Sequence, residues 1–424
     1  MSKHGEAAAL EKKDRLKMTN DECRMSNEIR MTKLQRSTRR AGRFLPSCLV
    51  LRHSFVIRHS TFVILFFVAI SIPTRSLFSS DWPLFRGNPQ SDGVASGTLP
   101  AQLQVLWKKP FKDAMFESTP AIVGGVIYIG GLDGPMRALK LDTGDELWQF
   151  KTDLGFRAPA AVKDGRVYIG DSDGVFYCLD GAKGTKLWSV TTDAEINAGA
   201  NFYKDRVLFA SQDGTLFCAT AVDGKELWKY SIGDQIQCTP TIVENRVFLA
   251  GCDGKFHVID IDTGKNVAEL AINDPTNSTP AARGDRVYFG TQGAAFLAVD
   301  WKKPEIMWTY EPRRKSPFQS SAAVKDNVVV IGGRDRQIHG IDATSGQSLW
   351  SFPGKTQIDG SPVIVGDRVF IGTGDGIVVG LKLSTGEKLW DYEAGGGFTG
   401  SPAVADNRLV IANDDGTLYC FGAK

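Results

Sequence analysis

Apolar residues in this chain come in short runs, bounded by Gly, Asp or Asn, that alternate with polar positions or are β-branched throughout. Such runs predict short strands. About every 40 residues three phrases return in fixed order, read most cleanly as GSPVIV, DRVFIG and GIVVGLKL, followed by a fourth of the type TGEKLWDY. Trp107, Trp148, Trp188, Trp228, Trp308, Trp350 and Trp390 keep the count, spaced 41, 40, 40, 80, 42 and 40 apart. The double gap holds Ala268 where a tryptophan is missing, which predicts a weaker junction there.

Eight registers of four antiparallel strands describe an all-β fold, a single eight-bladed β-propeller. Asp-Gly pairs such as Asp173-Gly174 and Asp375-Gly376 predict tight hairpin turns with both residues at positive φ. The tryptophans are expected to be structural wedges between neighbouring blades. Each buries on the order of 150–250 Å², or roughly 4–6 kcal/mol as an upper figure. The strand around Trp107, QVLWKKPF, precedes the first register, and the last unit, ending TLYCFGAK, has no tryptophan strand after it. The N-terminal Trp107 strand is therefore expected to close the ring on the last blade and remove the exposed edges.

Before the repeats the pattern changes. Residues 1–60 are polar and basic, expected to be disordered or to precede the true start, and RHSFVI followed by RHSTFVI looks like a local duplication. Residues 61–80 read as a signal-peptide-like hydrophobic segment: Phe62 to Ile72 is short for a bilayer span, with Arg52 and Arg58 before it and small residues after it. Export to the periplasm or cell envelope is expected. An uncleaved anchor from near Leu45 is the rival, with membrane contact only through this segment. The sole lipobox-like stretch, LPSC ending at Cys48, precedes the hydrophobic segment instead of following it. Residues 81–103 are a lead-in to the propeller at 104–424.

The net charge of +2 hides an asymmetry. The first 60 residues carry 14 Lys/Arg against 6 Asp/Glu, so their +8 leaves −6 for the rest, and no nucleic-acid surface is expected. Cys178, Cys218 and Cys420 occupy equivalent places in FYCLD, LFCAT and LYCFG, as small buried apolar residues do. Cys238 and Cys252 share one register, which leaves a disulfide open. With no Cys-x-x-Cys and only His257 and His339 beyond the leader, neither a metal site nor a catalytic constellation emerges.

Two features are candidates for binding. A polar residue precedes each SPAV-type phrase: Glu117, Arg157, Asn197, Gln237, Asn277, Gln319, Asp359 and Thr399. At the start of innermost strands these converge on one mouth of the central channel, either as a ligand-binding ring or simply as a solvated wall. The connection EPRRKSPF has extra length and groups Arg313, Arg314 and Lys315, a candidate partner contact on an otherwise acidic body.

The shared phrases, roughly SPAV, DGRVYIG, DG, LYALD and TGE.LW over residues 104–424, resemble the pyrroloquinoline-quinone-like propeller family, and DWPLFRGNPQSDGVA is similar to lead-ins of its exported members. WD repeats match the period, but Gly-His is absent and Trp-Asp occurs once. The resemblance implies one of two roles. Quinoprotein dehydrogenases hold pyrroloquinoline quinone and calcium in the funnel, whereas non-catalytic propellers scaffold outer-membrane protein assembly. This chain lacks the dehydrogenases' adjacent cysteine pair and long inter-blade insertions, so no cofactor is expected. A non-catalytic, monomeric ring that binds another envelope protein is the expectation. A quinoprotein-type oxidoreductase or a channel-ligand sensor is the alternative.

Overall fold

Thirty-two strands make up the described part of the computed structural model, residues 80–424, sorted into eight four-stranded antiparallel sheets. Blades one to seven are residues 121–151, 161–191, 201–231, 241–271, 281–310, 323–353 and 363–393, each laid down in chain order from inner to outer strand. Blade eight joins 403–422 to Gln104–Pro110, with Trp107 opposite Cys420 and Lys109 opposite Leu418. The leader at 1–60 and the signal-like segment, apart from its last residue, lie outside the described residues.

Two kinds of turn connect the first three strands of each blade. Inner hairpins turn on two residues, as at Gly124-Gly125 (φ +58° and +78°) and Asp164-Gly165 (φ +50° and +71°), which suits the right-handed twist of the strands they join. The sequence predicts the same turn at the Asp-Gly pairs further on, and the structure differs. Residues 131–134 form a four-residue connection in which Gly134 N–H donates to Gly131 O at 3.3 Å, and of Asp133 and Gly134 only the glycine has positive φ. Asp133 instead accepts from the Arg137 guanidinium, and in other blades the equivalent aspartate accepts a backbone N–H from the strand that follows, as Asp213 does from Thr215 at 2.8 Å.

Every outer strand carries a β-bulge immediately before its key residue. In blade two Trp188 opposes Cys178 and Lys186 opposes Leu179, leaving Leu187 as the extra residue. Leu147, Leu227, Val267, Met307, Leu349 and Leu389 hold the same place, and all are exposed. A bulge on each exposed edge disrupts the ladder that another chain would extend.

Across six of the joints the indole lies on the glycine of the next blade's outer hairpin turn. A Cβ on Gly184 would sit 2.4 Å from Trp148, and one on Gly386 2.5 Å from Trp350. In five of these six, Nε1 donates to the carbonyl three residues ahead of that glycine, as Trp350 does to Leu383 O and Trp228 to Ile261 O, both at 2.9 Å, whereas Trp188 Nε1 has no partner among the described residues. Trp390 reaches Leu103 O at 3.0 Å, just ahead of the closing strand. The phrase TGxxLW thus receives the preceding blade at its glycine and grips the following one with its tryptophan.

At the joint where Ala268 stands, another tryptophan takes the place of the missing one. The next blade's turn reads DWKKP, so Pro304 replaces the glycine and Trp301 the residue three before it. Trp301 is buried, reaches back across the joint to Phe248 (ring centroids 5.3 Å apart) and packs in one cluster with Ala268. The aromatic volume is supplied from the opposite side.

Candidate functional site

The SPAV-type phrases build a belt of hydroxyls around the axis. Thr239 N–H donates to Thr279 Oγ1, Thr279 N–H to Ser321 Oγ, Ser321 N–H to Ser361 Oγ and Ser361 N–H to Ser401 Oγ, at 2.9–3.0 Å. Gly199 N–H enters the chain at Thr239 Oγ1, and Ser401 N–H passes it on to Thr119 Oγ1 at 3.2 Å. These amides belong to residues just before the inner strands, so the next blade's side chain meets a need that no ladder bond serves. The belt lacks hydroxyls only at Pro159 and Gly199, and there Phe85 of the lead-in comes close, 3.3 Å from where a Cβ on Gly199 would stand.

Two residues ahead of each belt position stands the predicted polar ring. Glu117, Arg157, Asn197, Gln237, Asn277, Gln319, Asp359 and Thr399 all line one axial cavity of about 160 Å³, with Phe85 and the belt hydroxyls. Many of their polar groups are already engaged. Arg157 faces Glu117 at 3.7 Å, Gln237 Nε2 donates to Gln235 Oε1 at 3.1 Å, and Asp359 takes Arg334 through both oxygens at 2.9 Å. The repeated S/T-P dipeptide carried the signal for the belt; sequence reasoning read it only as a strand start.

Below the ring the lead-in threads the bore. Trp82 pairs with Ile122 through both backbone groups, and Val162, Ile242, Ala282, Val324 and Ile364 donate their N–H in turn to Pro83, Pro89, Gln90, Asp92 and Gly93 carbonyls at 2.8–2.9 Å. One segment thus satisfies the free edge of successive inner strands. Arg86 lies fully buried in it, its Nη2 donating to Ala322 O and Pro362 O, while Nε and Nη1 have no partner among the described residues. Burial pushes its pKa down to about 9, against the pull of Asp92.

Beside the cup, on the same mouth, a larger pocket of about 530 Å³ is bounded by Arg314, Arg334, Arg336, Lys355, Asp359, Phe398, Thr399 and Asp414. Arg314 brings the long connection to it, and twelve residues separate Tyr310 from Ala323 against nine at six other joints. Arg313 and Lys315 are exposed, and Lys315 pairs with Glu311 at 2.7 Å.

No disulfide joins Cys238 to Cys252, whose thiol faces Asn277 Oδ1 at 3.9 Å. Burial raises the thiols of Cys178 and Cys238 to about 11 and those of Cys218 and Cys420 to about 12. Among the described residues no three His, Cys, Asp or Glu side chains gather as a metal site. A tricyclic quinone with calcium does not fit the axial cup. Its volume falls below the roughly 300–1,000 Å³ usual for small-molecule sites, and its two carboxylates, Glu117 and Asp359, already face arginines.

Eight four-stranded blades locked by indoles around a polar cup define a pyrroloquinoline-quinone-like β-propeller. The chain belongs to the family whose model is described as outer membrane protein assembly factor BamB, which matches residues 92–201, 178–311 and 334–424. Among solved structures it is similar to BamB from Moraxella catarrhalis (20% identity, 76% of this chain and 98% of that one, TM-score 0.65). It is also similar to quinohemoprotein alcohol dehydrogenase from Comamonas testosteroni (15% identity, 81% of each chain, TM-score 0.69) and to the computationally designed Ika8 protein (20% identity, 78% and 99%, TM-score 0.65). No curated protein matches. One fold serves an assembly factor, a dehydrogenase and a designed chain, so the fold by itself selects no activity.

Proposed function

We propose that this protein is a non-catalytic, exported propeller that holds another envelope protein on the mouth face of its ring, in a role like that of BamB in outer-membrane protein assembly. The observation that carries this is the mouth itself: the axial cup is small and its charged groups are paired, while the longest connection raises Arg313, Arg314 and Lys315 beside it. Family membership supports the same role and an envelope location. Cross-linking in the source cells, followed by purification of the propeller, tests it. Recovery of an outer-membrane β-barrel assembly protein is expected; a propeller that comes through alone contradicts it.

A second reading rests on one observation, the convergence of eight dissimilar polar side chains on one cup. There the ring senses a small polar ligand, without redox chemistry.

A further inference from the structure

The off-axis pocket holds more positive charge than its own acids neutralise. Arg334 is matched: its Nε and Nη2 each donate at 2.9 Å to a different oxygen of Asp359, which occupies both. Asp414 is turned to Thr399, accepting from its N–H at 3.1 Å and its hydroxyl at 3.2 Å, and burial raises its carboxyl above the usual range. Neither acid is left for the remaining cations. Arg314, Arg336 and Lys355 line the same cavity with no ion-pair partner among the described residues, although Lys315 next door has one.

These three come from three separate pieces of backbone. Arg314 stands on the connection from blade five to six, Arg336 at the turn between the second and third strands of blade six, and Lys355 on the connection to blade seven. A ligand with several anionic groups can meet charges supplied from several segments. Thr356 and Gln357 add hydroxyl and amide groups, Phe398 adds an apolar wall, and the volume of about 530 Å³ falls in the range of small-molecule sites. All three side chains are exposed, so their attraction for a counter-anion is greatest at low ionic strength, and the body around them is net acidic.

We propose that this pocket binds a small organic anion carrying two or more carboxylate or phosphate groups. The site is separate from the axial cup, sharing only Asp359, Phe398's neighbour Thr399 and the common rim, and it stands whether or not the mouth also holds a protein.

Calorimetric titration of the full chain at low ionic strength tests it, with citrate and inorganic pyrophosphate as probes, glycerol as a neutral control and a polyglutamate peptide as a macromolecular one. Citrate or pyrophosphate is expected to bind with Kd below about 1 mM, and the tighter of the two distinguishes carboxylate from phosphate. The Arg336→Gln/Lys355→Gln variant is expected to bind about tenfold or more weakly, and Arg314→Gln alone to show a smaller loss. Arg283→Gln, outside the pocket, should bind as the parent does. The proposal is overturned if neither small anion binds, if the double variant binds as tightly as the parent, or if only the peptide binds.

Discussion

Trp148 and Gly184 sit on opposite sides of the joint between blades one and two, the indole face lying where a Cβ on the glycine would be, with Nε1 donating to Gly181 O at 2.9 Å. The same packing holds between Trp107 and Gly144, Trp188 and Gly224, Trp228 and Gly264, Trp308 and Gly346, and Trp350 and Gly386, and all but Trp188 also make the Nε1 bond. It separates two costs that are usually mixed. Gly165 has nearly the same φ as Gly184, +71° against +69°, but open space beside it. Gly165→Ala is expected to cost about 1–2 kcal/mol for the left-handed backbone alone. Gly184→Ala should cost about 1–3 kcal/mol more because the indole must move. Urea unfolding of the two variants checks this, and equal midpoints would contradict the lock.

The joint between blades four and five gives a reversed expectation. Trp301→Ala should destabilise by about 3–5 kcal/mol, like loss of any large buried aromatic. Restoring the repeat with Ala268→Trp should destabilise too, by about 1–3 kcal/mol, since Trp301 already fills the space. Thermal denaturation is the measurement; a more stable Ala268→Trp protein would show the joint to be underpacked.

The hydroxyl belt predicts a sharp difference between two substitutions at one buried position. Thr279→Val removes the acceptor of the Thr239 N–H and should cost about 1–3 kcal/mol, whereas Thr279→Ser keeps the bond and should cost well under half of that. Amide exchange at Thr239 should quicken only in the valine variant.

Four buried thiols set an alkaline limit. Their pKa values are raised in the fold, to about 11 for Cys178 and Cys238 and about 12 for Cys218 and Cys420, above the ordinary 9.0. The unfolded chain therefore releases these protons first, so the thiols' contribution is complete below pH 9 and declines as pH climbs toward the folded values. The steepest slope is about 1.4 kcal/mol per pH unit for each thiol. Arg86, lowered to about 9, acts in the opposite direction with one proton against four. Stability measured by urea at pH 8 and pH 10 should fall, and replacing the four cysteines by alanine should flatten the fall.

Much of this architecture was written plainly in the chain, because a propeller repeats each solution eight times and recurrence exposes it. The blade count, the strand order, the closing strand's missing partner and the eight residues at the cup all follow from period and phrase. What escaped was chemistry that one register cannot display by itself. Gly184 looks like a turn glycine until the preceding blade's Trp148 is placed on it, and Ser361 looks like a strand start until its hydroxyl meets Ser321 N–H. Trp301 hid for a similar reason: its partner cluster belongs to the blade before it. The basic pocket gathers Arg314, Arg336 and Lys355 from segments about 20 residues apart, a proximity that no local pattern encodes.

The proposed scaffold role turns on the loop at 311–318, and a capture experiment tests it most directly. Parent protein and an Arg313→Glu/Arg314→Glu/Lys315→Glu variant, matched for thermal stability, are each immobilised and exposed to detergent-solubilised envelope. Parent beads should retain an outer-membrane β-barrel assembly protein, and the variant should retain at most about a tenth as much. Equal retention by both, or retention by neither, would contradict the account.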